Sequence, residues 1–223
     1  MSLQNPIFIP GPTNIPDRLR RAMNVPTQDH RAPDFSDTFL PVLADCKKVF
    51  GTEDSEIILF TSSGTGGWEA AISNTLSLGD KVLIARYGMF SHRWIDMCQR
   101  HGLDVQVVEC DWGTGAPADQ FQAILDEDTA HEIKAVMVTH NETATGVLSD
   151  IGAVRKAMDS SDHPALLFVD GVSSIACVPF EMDAWGVDVA VAGSQKGFML
   201  ATGMAILGVS QKALSHMDEA KLP

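Results

Sequence analysis

Val187-Asp188-Val189-Ala190-Val191-Ala192-Gly193-Ser194-Gln195-Lys196-Gly197-Phe198 reads as a buried β-strand that ends in a small polar turn carrying one lysine. Apart from Asp188 the run is apolar and rich in Val, the pattern of a strand covered on both faces. Lys196 stands between that strand and a second apolar run, Gly197-Phe198-Met199-Leu200. Burial disfavours an ammonium ion, so a lysine placed here can lose its proton near neutral pH and attack a carbonyl, as a Schiff-base lysine must. The alternative is a lysine that snorkels out of a turn and has no chemical role.

Outward from this strand, which spans about 187–194, the chain alternates strands and helices. Further apolar strands are predicted at 57–60, 81–85, 105–108, 134–140, 165–170 and 205–209. Helices are predicted at 17–23, 36–50, 68–76, 89–100, 119–126 and 151–158, with a last one running from 210 towards 220. Residues 1–16, with Pro6, Pro10, Pro12 and Pro16, read as an extended arm. The sequence shows no internal repeat. Strands alternating with helices imply an α/β domain: a mostly parallel, seven-stranded sheet with helices on both faces.

The composition narrows the function. The 223 residues, 45% of them hydrophobic, suffice for one large core. Lys and Arg number 16 against 29 Asp and Glu, a net charge of −13. So acidic a chain, with its basic residues scattered, is a poor candidate for nucleic acid or an anionic membrane surface. No apolar run is long enough to span a bilayer, and Met1 to Pro6 lack the pattern of a signal peptide. Cys46, Cys98, Cys110 and Cys177 form no CxxC pair and no metal-ligand spacing, as expected of reduced cysteines in a cytoplasmic protein.

Ligands of such sheets bind outside the carboxyl ends of the strands, so the residues after each strand carry the chemistry. After the first strand comes Ser63-Gly64-Thr65-Gly66-Gly67 at a helix start. Small residues and free N–H groups there suit an anion, most simply a phosphate. The glycine spacing fits neither a Walker loop nor a dinucleotide fingerprint, and a tight turn that binds nothing is the plain alternative. Asp170 stands at the tip of the 165–170 strand, where a carboxylate is costly unless paired. It can hold a metal, cap a helix or pair with a protonated ring nitrogen; the lack of a second strand-end acid, Glu142 apart, weakens the metal. An anion cradle, a strand-end Asp and a lysine match the phosphate, pyridine nitrogen and aldehyde of pyridoxal 5'-phosphate.

Several stretches together resemble a known family. They are Pro10-Gly11-Pro12-Thr13-Asn14, Ser62-Ser63-Gly64-Thr65-Gly66, Thr139-His140-Asn141-Glu142-Thr143-Ala144-Thr145-Gly146-Val147, Val169-Asp170-Gly171-Val172-Ser173-Ser174 and Gly193-Ser194-Gln195-Lys196. In this order they resemble the class V, fold-type I pyridoxal-phosphate aminotransferases, in the serine–, alanine– and aspartate–glyoxylate branch. The resemblance covers nearly the whole chain. It implies that Lys196 forms the internal aldimine and shuttles a proton, and that Asp170 pairs with the pyridinium nitrogen. It implies that Ser63, Gly64 and Thr65 hold the phosphate with Gln195 nearby. It also implies that Phe90 stacks on the ring, Val172 packs beneath it, Thr143 bonds the phenolic oxygen and Gly11 meets the substrate through its backbone. Without the resemblance, Phe90 reads as a core residue of its helix. His140 reads as a structural histidine.

Family members are much longer. The resemblance therefore implies that residues 17–223 are an incomplete cofactor-binding large domain, with the C-terminal small domain and the arginine for the substrate carboxylate lying beyond residue 223. A stand-alone chain of this length is expected to expose part of its core and to lack full activity. The function implied is ping-pong transfer of an amino group from serine, aspartate or alanine to glyoxylate, in a homodimer at least. One rival is a cysteine desulfurase-like lyase of the same fold; Gln195 and Phe90 stand where those enzymes usually carry histidines. The other is a non-catalytic α/β module that binds a phosphorylated ligand.

Overall fold

Short, Val-, Ile- and Leu-rich segments form the strands, and the longer amphipathic segments between them form helices. The structure, a computed structural model, describes residues 6–222. The strands are β1 (Glu56–Phe60), β2 (Lys81–Arg86), β3 (Asp104–Glu109), β4 (Ile133–Thr139), β5 (Asn141–Glu142), β6 (Val147–Leu148), β7 (Leu166–Asp170), β8 (Val189–Gly193) and β9 (Ala205–Val209). The helices are α1 (Asp17–Met23), α2 (Phe35–Phe50), α3 (Gly64–Thr75), α4 (Met89–Arg100), α5 (Ala118–Glu127), α6 (Ile151–Ser160) and α7 (Gln211–Ser215). The first five residues of the expected N-terminal arm lie outside the described residues.

Seven strands form one sheet in the order β1-β9-β8-β7-β4-β2-β3, and β5 and β6 form a separate hairpin. The β2–β3, β2–β4, β4–β7 and β7–β8 pairs are parallel; β9 runs antiparallel to both β8 and β1. The mixed, mostly parallel sheet expected from the sequence is therefore present, with one reversed strand. Its central strands β7 and β8 are buried at every position, as their unbroken apolar runs require.

Successive side chains of a strand point to opposite faces, so β7 feeds two cores. Leu167 and Val169 join Phe50, Phe121, Val154 and Met158 under α2, α5 and α6. Leu166 and Phe168 join Ile72, Trp94 and Ile95 under α3 and α4. Asp188, the one charge in the opening stretch, is buried where β8 begins. Its carboxylate accepts the Leu167 N–H at 2.9 Å and the Ser210 hydroxyl at 2.8 Å, which locks β7 to the turn before α7.

Three elements differ from expectation. Helix α3 begins at Gly64, four residues before the predicted start at Trp68. Gly disfavours helix by about 1 kcal/mol relative to Ala, so the loop reads as a turn. Packing overrides that preference, because a Cβ on Gly67 would lie 2.6 Å from Val191 Cγ1 on β8. The predicted helix from 210 to 220 stops at Ser215. The β5–β6 hairpin was not expected; its two-residue strands are too short to show periodicity.

Candidate active site

The carboxyl ends of β1, β4, β7 and β8 open on one cavity of ≈160 Å³. It is lined by Ser63, Gly64, Thr65, Trp68, Phe90, Thr143, Asp170, Val172, Ser173, Gln195 and Lys196. A larger cleft of ≈290 Å³, lined by Thr75, Asp80, His131 and Lys134 among others, holds no lysine beside a buried carboxylate. The sequence-predicted residues Ser63, Gly64, Thr65, Phe90, Thr143, Asp170, Val172, Gln195 and Lys196 all meet in the first cavity. Sequence reasoning missed Trp68 and Ser173. Trp68 reads as a core residue because it also stacks on Trp94, with centroids 5.4 Å apart.

Ser63 precedes α3 with extended backbone and makes no capping bond through its side chain. The first intrahelical hydrogen bond runs from the Gly67 N–H to the Ser63 carbonyl at 3.0 Å. The N–H groups of Gly64, Thr65 and Gly66 precede it and so leave the helix end as free donors. With the positive end of the helix dipole they favour an anion. A Cβ on Gly64 would collide with Val172 Cγ2, so only glycine lets the helix end approach the wall that Val172 forms.

Asp170 ends β7 and is 4% exposed. Its Oδ1 accepts the Val172 N–H at 3.0 Å. Burial pushes the carboxyl up to about 7, and the nearby Glu142 carboxylate adds to the rise; the Val172 N–H, the Trp68 indole and Lys196 oppose it. The Trp68 Nε1–H makes no hydrogen bond of acceptable geometry, though it lies near enough to the carboxylate to favour its charge. Gln195 Oε1 is likewise buried without a partner. Unpaired buried groups of this kind cost free energy, and a polar ligand in the cavity relieves it.

Lys196 follows β8 and is half-buried, not fully buried as the flanking apolar runs suggest. The turn after Gly193 lifts it to the cavity mouth, where the N-terminal arm covers it. Its Nζ donates to the Pro10 carbonyl at 3.1 Å. The Thr13 N–H donates to the Gln195 carbonyl at 3.0 Å, and the Thr13 hydroxyl reaches the Gln195 and Lys196 carbonyls at 3.3 and 3.2 Å. Gly11 sits against the lysine stem: a Cβ there would lie 2.6 Å from Lys196 Cδ. Partial burial lowers the Lys196 pKa, opposed by Asp170 and Cys177.

Phe90, in the first turn of α4, is half-buried, packs against the second core and lines the cavity. Thr143 sits in the β5–β6 turn, and its hydroxyl donates to Ser173 Oγ at 2.8 Å. Ser173 in turn donates to the Asn141 carbonyl at 2.9 Å. His140 stays outside the cavity, as expected of a structural residue. Its Nδ1 lies 2.9 Å from Ser174 Oγ, its ring packs on Phe180 and Trp185, and burial pushes its pKa down to about 4. Glu142, the acid nearest by sequence to a second strand-end carboxylate, turns both oxygens towards N–H groups at the start of α4.

The family profile described as aminotransferase class-V matches residues 20–222. The chain belongs to that family. The class-V aminotransferases depend on pyridoxal 5'-phosphate. The chain is 64% identical over 223 residues to an L-aspartate–glyoxylate aminotransferase of Paracoccus denitrificans, covering 100% of this chain and 56% of that protein. It is 62% identical over 215 residues to a serine–glyoxylate aminotransferase of Methylorubrum extorquens, covering 96% of this chain and 54% of that protein. The fold superposes on a crystal structure of ureidoglycine–glyoxylate aminotransferase from Bacillus subtilis with TM-score 0.89 at 26% identity, covering 98% of this chain and 56% of that one. The chain thus spans about half the length of the curated relatives it matches.

Proposed function

We propose that these residues form the cofactor-binding part of an aminotransferase that passes an amino group from a small L-amino acid to glyoxylate, giving glycine. The observation that carries the proposal is one cavity holding a half-buried lysine, a buried strand-end carboxylate and a free helix N-terminus. Pyridoxal phosphate fits that donor set: free N–H groups for its phosphate, a carboxylate for its ring nitrogen, and an amine for its aldehyde. Gln195 Oε1, buried without a partner on a residue that lines the cavity, supports the same fit.

When bound, the cofactor supplies an aldehyde that condenses with amines and a protonated ring that withdraws electrons. The rest belongs to the chain. The α3 N-terminus, with Ser63, Gly64 and Thr65, holds the phosphate, and Gln195 adds a polar contact. Asp170 holds a proton on the ring nitrogen and gains there the cationic partner that its burial demands. Phe90 and Val172 would flank the ring, and Thr143 would supply a hydroxyl to its phenolic oxygen. Lys196 Nζ, its ammonium disfavoured by partial burial, is the amine that holds the cofactor and then takes the proton from the substrate Cα. Gly11 and Pro10 lie across the lysine, so the arm bounds the space where the amino acid enters.

Two further readings belong with this proposal. Lys196 is the one cation lining the cavity among the described residues. The substrate carboxylate is met by a cation from elsewhere, in the rest of a longer protein whose large domain is residues 17–223, or in a second copy. A homodimer is supported by apolar groups left uncovered on the arm and α2: Phe8 is 91% and Leu40 60% exposed. Four unpaired cysteines support a cytoplasmic location.

The test is the visible spectrum of the purified protein with single amino acids. A yellow band that bleaches with serine, aspartate or alanine and returns with glyoxylate is the expected result. The donor that bleaches it fastest names the substrate, a choice that relatives of near-equal identity leave open. Sulfide release from cysteine would favour the lyase, and a colourless protein the binding module.

A further inference from the structure

Glu142 is a fully enclosed carboxylate beside the cavity, 0% exposed, and the reading above gives it no role. It ends β5, one residue before Thr143. Its Oε2 accepts the N–H groups of Ser91 at 3.0 Å and Phe90 at 3.1 Å and the Ser91 hydroxyl at 3.2 Å. Its Oε1 accepts the Phe90 N–H at 3.2 Å and the Ala144 N–H at 3.1 Å.

Phe90 and Ser91 belong to the first turn of α4, whose N–H groups have no intrahelical acceptor. A carboxylate there is favoured by the charge-assisted bonds and by the helix dipole. Glu142 therefore caps a helix remote in sequence. Gly88 makes the room, since a Cβ on residue 88 would collide with Glu142 Cγ and Cδ and lie 2.7 Å from Oε2. One buried side chain thus joins the hairpin that carries Thr143 to the turn that carries Phe90. These are two separate walls of the cavity.

We propose that Glu142 is a positioning residue that sets Phe90 against the cofactor. The proposal rests on the cofactor reading above. It treats the acid as acting through Phe90, so its effect on cofactor binding should vanish when the ring is absent. A purely structural acid would act whether or not the ring is there.

The test is a double-mutant cycle on the dissociation constant of pyridoxal phosphate in the full-length protein. Glu142→Gln keeps the size of the side chain but turns an amide NH₂ towards N–H donors. Glu142→Gln and Phe90→Ala should each weaken binding roughly two- to tenfold, the size of effect expected for one aromatic contact. The double variant should bind no more weakly than Phe90→Ala. Glu142→Gln should also change the circular dichroism of the bound cofactor. Ser91→Ala, which removes one donor from the same carboxylate, should give a smaller loss that again disappears in the Phe90→Ala background, and it keeps the test open should Glu142→Gln not fold. Losses that multiply in the double variants, or no loss in Glu142→Gln, would overturn the proposal. A wild-type protein that binds no pyridoxal phosphate would overturn the cofactor reading and this inference with it.

Discussion

Replacing Asp170 by Asn should change how the stability of the cofactor-free protein depends on pH. The carboxyl titrates at about 7 in the folded protein, against 3.8 for an ordinary aspartate, because burial opposes its charge. The folded state therefore binds this proton more tightly than the unfolded chain. The group contributes stability at low pH, and the contribution is lost as pH rises through about 7. Between about pH 5.5 and 8.5 that loss amounts to roughly 2 kcal/mol, at about 1.4 kcal/mol per unit. His140 and His163, both lowered by burial, act in the opposite sense, since the unfolded chain takes up their protons first. Both histidines remain in the variant, so the difference between the two proteins isolates Asp170. Asn keeps an oxygen for the Val172 N–H and carries no charge. Urea unfolding should find the variant about 2 kcal/mol better off, relative to wild type, at pH 8.5 than at pH 5.5. A difference that stays constant across that range would refute the claim that Asp170 is a buried carboxylate awaiting a cation.

Other substitutions separate the site from its support. Gly67→Ala places a Cβ 2.6 Å from Val191 Cγ1 and 3.3 Å from Ala205 Cβ, between α3 and the sheet. It should cost about 1–3 kcal/mol in thermal or urea unfolding. Gly64→Ala drives a methyl into Val172 at the cavity wall; cofactor titration should show weaker binding by about tenfold or more, equivalent to at least ~1.4 kcal/mol. Thr13→Val removes the hydroxyl bonds to the Gln195 and Lys196 carbonyls, so limited proteolysis within residues 6–16 should quicken while the bulk unfolding transition moves by no more than about 1 kcal/mol.

The sheet was legible because β4, β7, β8 and β9 are short apolar runs bounded by turn residues, and that pattern needs no distant partner to read. The reversed direction of β9 was not legible, because apolar periodicity is the same for either direction. The cavity was legible in outline: chemistry in such sheets gathers at strand ends, and Asp170, Lys196 and the Ser63–Thr65 loop each stand at one. Phe90, Val172 and Thr143 came only from the family resemblance. The apolar neighbours of Lys196 suggest full burial, whereas the turn after Gly193 lifts it to half exposure and the arm covers it. No local pattern places Pro10 on Lys196, since they are 186 positions apart. The role of Glu142 was not legible for the same reason, since its partners Phe90 and Ser91 lie 52 and 51 positions away. Trp68 and Ser173 were missed because each also has a structural partner, in Trp94 and in Asn141.

The most direct test of the cofactor site is borohydride reduction of the protein loaded with pyridoxal phosphate, followed by peptide mapping. The expected result is one cofactor fixed on the peptide containing Lys196, with no fixation in Lys196→Ala and no turnover by that variant. Fixation on another lysine, or undiminished turnover without Lys196, would contradict the site described for this cavity.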